Sequence, residues 1–490
     1  MYIMMVASEC APVAKVGGLG DVVSGLSREL HARGHRVEII LPKYSCMRYD
    51  HIQDLKIAYQ DLWVPWYGAA IHCTVWTGLI HELRGFFIEP HSQDNFFNRH
   101  AYYGFADENL RYAFFSKAAL EFLLKSNTRP DILHCHDWQT GLLPVMLYEI
   151  YQQQGMNTQR VCYSIHNFRH QGIASEAILW ATGLGRPAYY LHPDRLGDDF
   201  SPQAINYMKA GIVYSNHITT VSPRHAWEAR HTGQGYGLGH TLHRHQDKFS
   251  GILNGLDYDY WNPATDPHIA SHYHHEHPDG KYHNKAALRE RLWLRQDFKP
   301  LIAYVGRLDT QKGLPLIRHA LHYSLAHGAQ FVLLGASPEI GINNEFWQLK
   351  HQLNDNPNCH LEIGFDEELA HLIYAGSDLI VVPSLYEPCG LTQMIALRYG
   401  SVPIVRSVGG LADSVFDWNH AECPQAERNG YVFYDSDETG LESAMHRAIG
   451  LWNSDPEQFR QLLVNGMRCD YSWHQSASHY LALYEHIRHQ

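Results

Sequence analysis

At 490 residues the chain exceeds what one hydrophobic core usually organises, so two domains are expected. A composition that is 45% hydrophobic and 18% charged excludes a disordered chain and describes a soluble globular one. The acidic balance, 51 Asp and Glu against 39 Lys and Arg for a formal charge of −12, excludes broad nucleic-acid binding, which needs a cationic face. A local Lys/Arg cluster around a small anion stays possible.

Tyr2–Ala7 reads as a first strand, followed by a glycine loop, Lys15-Val16-Gly17-Gly18-Leu19-Gly20-Asp21. An amphipathic helix carrying Val22, Val23, Leu26 and Leu30 comes next and stops at Gly34, before a second strand at Val37–Leu41. This β–loop–α–β order starts a doubly wound α/β sheet. Residues 51–105 read as short strands and hairpins, Glu108–Leu124 as a helix, and Asp131–Cys135 as a strand ending in HDW with a helix from about Gly141. Val161–Ile165 ends in His166-Asn167, and short strands at Thr219–Val221 and Gly251–Leu253 end at Ser222 and Asn254. From Asp257 to Lys299 the composition shifts to Pro, Asp, Asn, Tyr and His, which marks an interdomain connection. A second α/β series follows, with strands at Leu301–Val305, Phe331–Leu334, Leu361–Ile363, Leu379–Val382 and Val402–Val405. The expected domains are therefore 1–256 and 300–490 with 257–299 between them, the last helix packing back on the N-terminal domain. Polar residues recur at the carboxyl ends of strands, where open α/β sheets bind ligands.

The stretch Pro383–Gly400 (PSLYEPCGLTQMIALRYG) sits at a strand-to-helix junction, where the backbone of Gly390, Leu391 and Thr392 suits a phosphate. Glu387 just upstream would repel that phosphate but accept hydrogen bonds from neutral hydroxyls, which together suggests a sugar joined to a phosphate. Arg307 and Lys312, in YVGRLDTQKG, add a bidentate donor and a point charge after another strand. A solvated basic loop is the plainer reading of that pair. Lys15 beside glycine N–H groups reads as an anion site, against the plainer reading of a tight turn that needs two glycines. The loop lacks Gly-x-Gly-x-x-Gly spacing and the second strand ends without an acid, so a nicotinamide enzyme is disfavoured. HCHDWQTG tempts a metal reading, but no further ligand cluster accompanies it, so no metal is assigned. Asp137 and Trp138 look like sugar contacts, a carboxylate for hydroxyls and an aromatic surface for a ring. His166-Asn167 is either a satisfied core pair or part of the site. Cys389 could be a nucleophile, though no His-Asp partnership surrounds it. The nine cysteines lack a Cys-x-x-Cys framework and read as reduced thiols, and no apolar run approaches membrane-spanning length. The 36 histidines should make net charge drift upward as pH falls toward about 6.

Taken together, KVGGLGD (15–21), HDWQTG (136–141), SIHNFRHQG (164–172), GILNGLD (251–257), GRLDTQKG (306–313), PSLYEPCGLTQ (383–393) and VGGLADSV (408–415) resemble the bacterial glycogen synthase and plant starch synthase family, nearly end to end and in its order. Val16, GYGLGHTL (235–242) and YWNPATD (260–266) bring the chain nearest the starch synthase III and IV branch and its cyanobacterial relatives. The resemblance implies a GT-B fold, two Rossmann-like doubly wound domains facing across a cleft. It implies transfer of glucose from ADP-glucose to the non-reducing end of an α-1,4-glucan (glycogen, starch or a maltooligosaccharide), with retained configuration, no cofactor and no metal.

Carried over by position, Lys15, Gly17, Gly18, Asp21 and Asn254 would meet the donor. Arg307 and Lys312 would hold its diphosphate with Gly390, Leu391 and Thr392, Phe365 would lie near the base, and Glu387 would bind glucose hydroxyls. Asp137, Trp138, His166 and Asn167 would line the glucan side; Lys15, Asp137, His166, Arg307, Lys312 and Glu387 form the expected catalytic set. The family pattern is broken at Phe365, where a Tyr is common, and at His170, which replaces a frequent Tyr. Ile395 stands where other retaining GT-B enzymes carry a second Glu. Without an obvious paired carboxylate near His166, attack on the leaving-group face is favoured, the His166 carbonyl stabilising the sugar. A decayed glucan-binding scaffold is one alternative, against which the intact Lys15, Arg307, Lys312 and Glu387 set speaks; a GT-B transferase using UDP-glucose or another acceptor is the other, since no residue reads adenine over uracil. The chain opens on a strand without a signal-like leader, which predicts a cytoplasmic protein, or a plastid stromal one if a transit peptide once preceded it.

Overall fold

A computed structural model describes residues 1–490. Met1–Gly255 with Trp473–Gln490 form one compact unit, and Leu256–Ser472 form the other. Residues 257–299, expected as a connection, group with the second unit and carry a helix at Gly280–Arg291. That helix packs closely on the helix at Glu367–Gly376: a Cβ on Gly376 would stand 2.9 Å from the Asn284 carbonyl oxygen.

The first unit contains β1 (Tyr2–Val6), β2 (Arg36–Pro42), β3 (Ile52–Trp66), β4 (Ala69–Ile80), β5 (Leu83–Pro90), β6 (Ile132–His136), β7 (Arg160–Ile165), β8 (Ile173–Ser175), β9 (Ala204–Asn206), β10 (His217–Thr220) and β11 (Phe249–Gly251). Nine of them form one sheet in the order β11-β10-β7-β6-β1-β2-β5-β4-β3, while β8 and β9 pair separately. The run from β11 to β5 is parallel, and β4 and β3 add an antiparallel edge. β1 and β6 are buried on both faces and read as unbroken apolar or neutral runs, as covered parallel strands do. The helix Gly18–Ala32 lays Leu19, Val22, Val23, Leu26 and Leu30 against this core. Its Gly25 admits the C-terminal helix Trp473–Arg488, since a Cβ there would lie 2.0 Å from the Trp473 indole nitrogen.

The second unit is a six-stranded, wholly parallel sheet: β12 (Leu301–Val305), β13 (Gln330–Gly335), β14 (Cys359–Ile363), β15 (Leu379–Val382), β16 (Val402–Arg406) and β17 (Tyr431–Phe433), in the order β14-β13-β12-β15-β16-β17. Numbered within the unit this is 3-2-1-4-5-6, the doubly wound order whose switch point lies between its first and fourth strands, here β12 and β15. The parallel strands of the first unit follow the same rule, with the switch between β1 and β6. Ligands of such sheets bind beyond the carboxyl ends at that point.

Two sequence expectations are corrected and one is refined. The last short strand of the first unit is Phe249–Gly251, two residues earlier than Gly251–Leu253. The helix expected from about Gly141 begins at Leu143 and runs without a break to Gln154, its winding passing from α to the wider π and then the tighter 3-10 form. β17 was not anticipated, because Tyr431–Phe433 is too short to show a period.

Candidate active site

In the second unit, both loops singled out from the sequence spring from the switch-point strands. The loop after β12 carries Arg307 and Lys312, and the loop after β15 carries Glu387 and Gly390. They lie against each other because Gly313, at φ +75°, has no side chain: a Cβ would sit 2.3 Å from the Pro383 carbonyl oxygen. The Leu385 N–H donates to the Gln311 carbonyl at 2.7 Å and ties the loops by backbone.

Within that frame Lys312 Nζ meets Glu387 Oε2 at 2.6 Å, and Ser384 Oγ donates to the same oxygen at 2.8 Å. Glu387 is 8% exposed, so these partners replace the water that its carboxylate gives up on burial. Lys312, expected as a cation held for phosphate alone, is thus engaged by the carboxylate while keeping further N–H donors. Arg307 is 71% exposed in its side chain and faces only Asp309, at 3.4 Å. The turn after Glu387 is packed by glycines, since Cβ atoms on Gly409 and Gly410 would lie 2.0 Å from the carbonyl oxygens of Glu387 and Cys389. The Gly410 N–H donates to the Glu387 carbonyl at 3.1 Å. Gly390 takes φ +76°, and the helix Thr392–Arg398 follows. Cys389 is buried with its thiol toward the Gly390 carbonyl, which fits packing and no nucleophilic role. Phe365, after β14, is 91% exposed.

In the first unit, the Lys15 loop follows β1. Its organiser is Glu9, which the sequence reading missed. Glu9 Oε2 accepts the Val16 and Gly17 N–H groups at 2.7 and 3.0 Å, and its Oε1 accepts the Tyr103 hydroxyl at 2.7 Å. Those two N–H groups, expected to face an anion, are therefore occupied. Gly17 and Gly18 adopt no strained turn, and a Cβ on either would meet nothing within 4 Å, which removes the tight-turn explanation for them. Lys15 is half exposed and pairs with Asp21 at 2.8 Å. An acid two residues before the Ala11-Pro12 step was the only sequence signal for Glu9, and a lone carboxylate after a strand has many uses.

At the other side of that switch point, Asp137 takes φ +54°, which a non-glycine residue adopts only when its surroundings enforce it. Its Oδ1 accepts the His166 N–H at 2.7 Å and the Asn167 N–H at 3.4 Å, and its own N–H donates to the Ser164 carbonyl. Burial pushes its carboxyl up to about 7, against those hydrogen bonds, which favour the anion. Asp137, expected at a sugar, is first of all the strut of the His166–Asn167 turn. Trp138 is corrected outright: it is 8% exposed, meets Tyr112 and Tyr207 edge-on or tilted, and presses on Gly172, so it presents no face to a ring. His166 Nε2 lies 3.1 Å from His136 Nδ1, and burial lowers His166 to about 4, so the ring is neutral. Asn254 is buried with its Oδ1 unpartnered, the condition of an acceptor awaiting a donor.

Comparison with known proteins decides the family. Residues 2–244 match the family model for the starch synthase catalytic domain, and residues 290–461 match the model for glycosyl transferases group 1. Glycogen synthase 1 of Trichormus variabilis is 64% identical over 100% of both chains. The chain belongs to the glycogen and starch synthase family. Glycogen synthase 2 of Methylococcus capsulatus is 61% identical over 99% of this chain and 100% of its own. The catalytic domain of starch synthase IV from Arabidopsis thaliana, solved with ADP and acarbose, superposes with a TM-score of 0.94 at 44% identity, over 100% of this chain and 99% of that one. This family chain is a glycosyltransferase with the GT-B fold, built of the two parallel-sheet units described above. None of its helices is long and apolar enough to cross a membrane.

Proposed function

We propose that the chain elongates an α-1,4-glucan by transferring glucose from ADP-glucose to the non-reducing end with retention of configuration. The observation that carries the assignment is the Lys312–Glu387 pair at the switch point of the second unit, a cation and a carboxylate sharing one 2.6 Å contact. Such a pair can serve both halves of a nucleotide sugar. Oε2 of Glu387 is taken by Lys312 and Ser384, which leaves Oε1 to accept glucose hydroxyls. The remaining Lys312 donors, Arg307 and the backbone at Gly390, Leu391 and Thr392 bind the diphosphate and stabilise the charge that grows on it as the anomeric bond breaks. The exposed Phe365 is assigned to the base.

In the first unit, Lys15 supplies a further cation, kept in place by Asp21, and the bare faces of Gly17 and Gly18 give room for a ligand. His166 and Asn167, set by Asp137, and the orphan Oδ1 of Asn254 address sugar oxygens. The starch synthase IV relative was solved with ADP and acarbose, which supports adenine as the base and a glucan as acceptor here. Nine free cysteines agree with a reducing, cytoplasmic setting.

A donor competition assay on glycogen and on short maltooligosaccharides tests the substrate reading. ADP-glucose should be used in strong preference to UDP-glucose. Equal use of both, or transfer to an acceptor other than an α-1,4-glucan, would contradict it.

A further inference from the structure

A row of buried imidazoles stands behind His166 in the first unit. His134 and His136 lie on one face of β6, their ring centroids 4.1 Å apart, and the His136 and His166 rings stack at 5.4 Å. His134 is fixed at both nitrogens. Its Nδ1 lies 2.7 Å from the Tyr484 hydroxyl on the C-terminal helix, and its Nε2 lies 2.6 Å from Ser164 Oγ, which in turn meets Thr219 Oγ1 at 2.6 Å. His136 is different. It is fully buried, its Nδ1 faces His166 Nε2 at 3.1 Å, and its Nε2 has no partner at all.

A neutral imidazole carries one proton. If His166 Nε2–H donated to His136 Nδ1, the His136 proton would sit on Nε2 as a buried N–H without an acceptor, the rarer and costlier kind of orphan. If His136 Nδ1–H donates to His166 Nε2, the orphan is only a bare ring lone pair. We propose that His136 is held as the Nδ1–H tautomer and is a positioning residue: it fills His166 Nε2 and so forces His166 to keep its own proton on Nδ1, as a hydrogen-bond donor. The doubly anchored His134, its ring tilted 32° against that of His136 at 4.1 Å, limits how the His136 ring can turn, which links the C-terminal helix through Tyr484 to the same device. Burial keeps both inner rings neutral, so the arrangement holds through the neutral pH range.

The inference deepens the function proposed above and rests on it in one respect, that His166 addresses a sugar. The site would then offer a donor to a sugar oxygen, so replacing the recognised hydroxyl by fluorine, which accepts but cannot donate, should be tolerated better than replacing it by hydrogen.

Neutron diffraction from deuterium-exchanged crystals of the full chain reads the tautomers without any activity measurement. Deuterons are expected on Nδ1 of both His136 and His166, with none on His136 Nε2. A deuteron on His166 Nε2 would overturn the proposal. Kinetics then test the consequence. His136→Asn, whose amide N–H can stand where Nδ1–H does, should keep kcat within a few-fold, whereas His136→Leu should lose roughly tenfold or more in kcat with little change in the KM for ADP-glucose. Equal losses in the two variants would overturn the positioning role. Absence of glucosyl transfer by the unaltered chain, with the expected deuterons present, would instead refute the function and leave the tautomer assignment standing.

Discussion

Glu9 and Asp137 do related work on different loops: each is a carboxylate that accepts backbone N–H groups and thereby fixes a turn carrying a functional side chain. Removing Glu9 would leave two N–H groups in search of partners, at about 1–3 kcal/mol each where water cannot replace it. Glu9→Ala should therefore lower the melting temperature and raise the KM for the sugar nucleotide, whereas Glu9→Gln, which keeps an acceptor oxygen, should do less of both; thermal unfolding beside steady-state kinetics checks this. Asp137 carries a pH signature. Its carboxyl holds a proton in the folded state up to about 7 and in the unfolded state only to about 3.9. The folded form thus binds more protons across that window, and its contribution to stability falls as pH rises from about 4 to 7. Asp137→Asn keeps the acceptor, tolerates positive φ and should abolish that dependence in a series of denaturant titrations, along with any ionisation near pH 7 in kcat/KM.

Among the elements, the most exacting contacts are those at glycines. Gly313 lets the loops after β12 and β15 touch, and a Cβ there would drive the Pro383 carbonyl away. Gly313→Ala should cost about 1–3 kcal/mol in stability and reduce activity further by parting Lys312 from Glu387. Gly25 and Trp473 form a second such pair. Gly25→Ala and Trp473→Ala should each destabilise, and the double variant should be more stable than the sum of the two predicts, because removing the indole opens the space the methyl needs; a double-mutant cycle in guanidinium measures it.

The doubly wound character was legible in the sequence because β1, β6, β12 and β15 are short apolar runs ending in polar motifs, and the order of loops and helices allowed little else. Arg307, Lys312 and Glu387 were legible for the same reason. What escaped depends on three-dimensional packing that no local pattern encodes. Glu9 looks like any acid after a strand until Val16 and Gly17 fold back on it. Trp138 looks like a sugar platform until Tyr112, Gly172 and Tyr207 enclose it. The plainer alternative for the Lys15 loop, a tight turn that needs two glycines, fails because Gly17 is extended and neither Gly17 nor Gly18 takes a positive φ.

For the whole molecule, the row of buried histidines weakens the fold in acid. His134 is lowered to about 3 and His166 to about 4 by burial, and His136 lies well below the ordinary range for the same cause, reinforced by its neighbours. In the unfolded chain all three would titrate near 6.5. Below that pH the unfolded state binds more protons than the folded one, so stability is lost as pH falls from about 6.5 toward 4. Asp137 opposes this with one proton against three, so the cluster's net effect is destabilising in acid. Urea midpoints should therefore fall between pH 6.5 and 4.5, and a midpoint unchanged over that range would contradict neutral burial of the row.

The central claim is that the pair at the switch point of the second unit drives glucosyl transfer from ADP-glucose. It is tested most directly by the initial rate of radiolabelled glucose incorporation from ADP-glucose into glycogen, with the unaltered chain beside Glu387→Ala. The unaltered chain should incorporate label, and the variant, verified as folded by its circular dichroism, should lose on the order of a hundredfold or more in kcat/KM. Equal incorporation by the two would contradict the account.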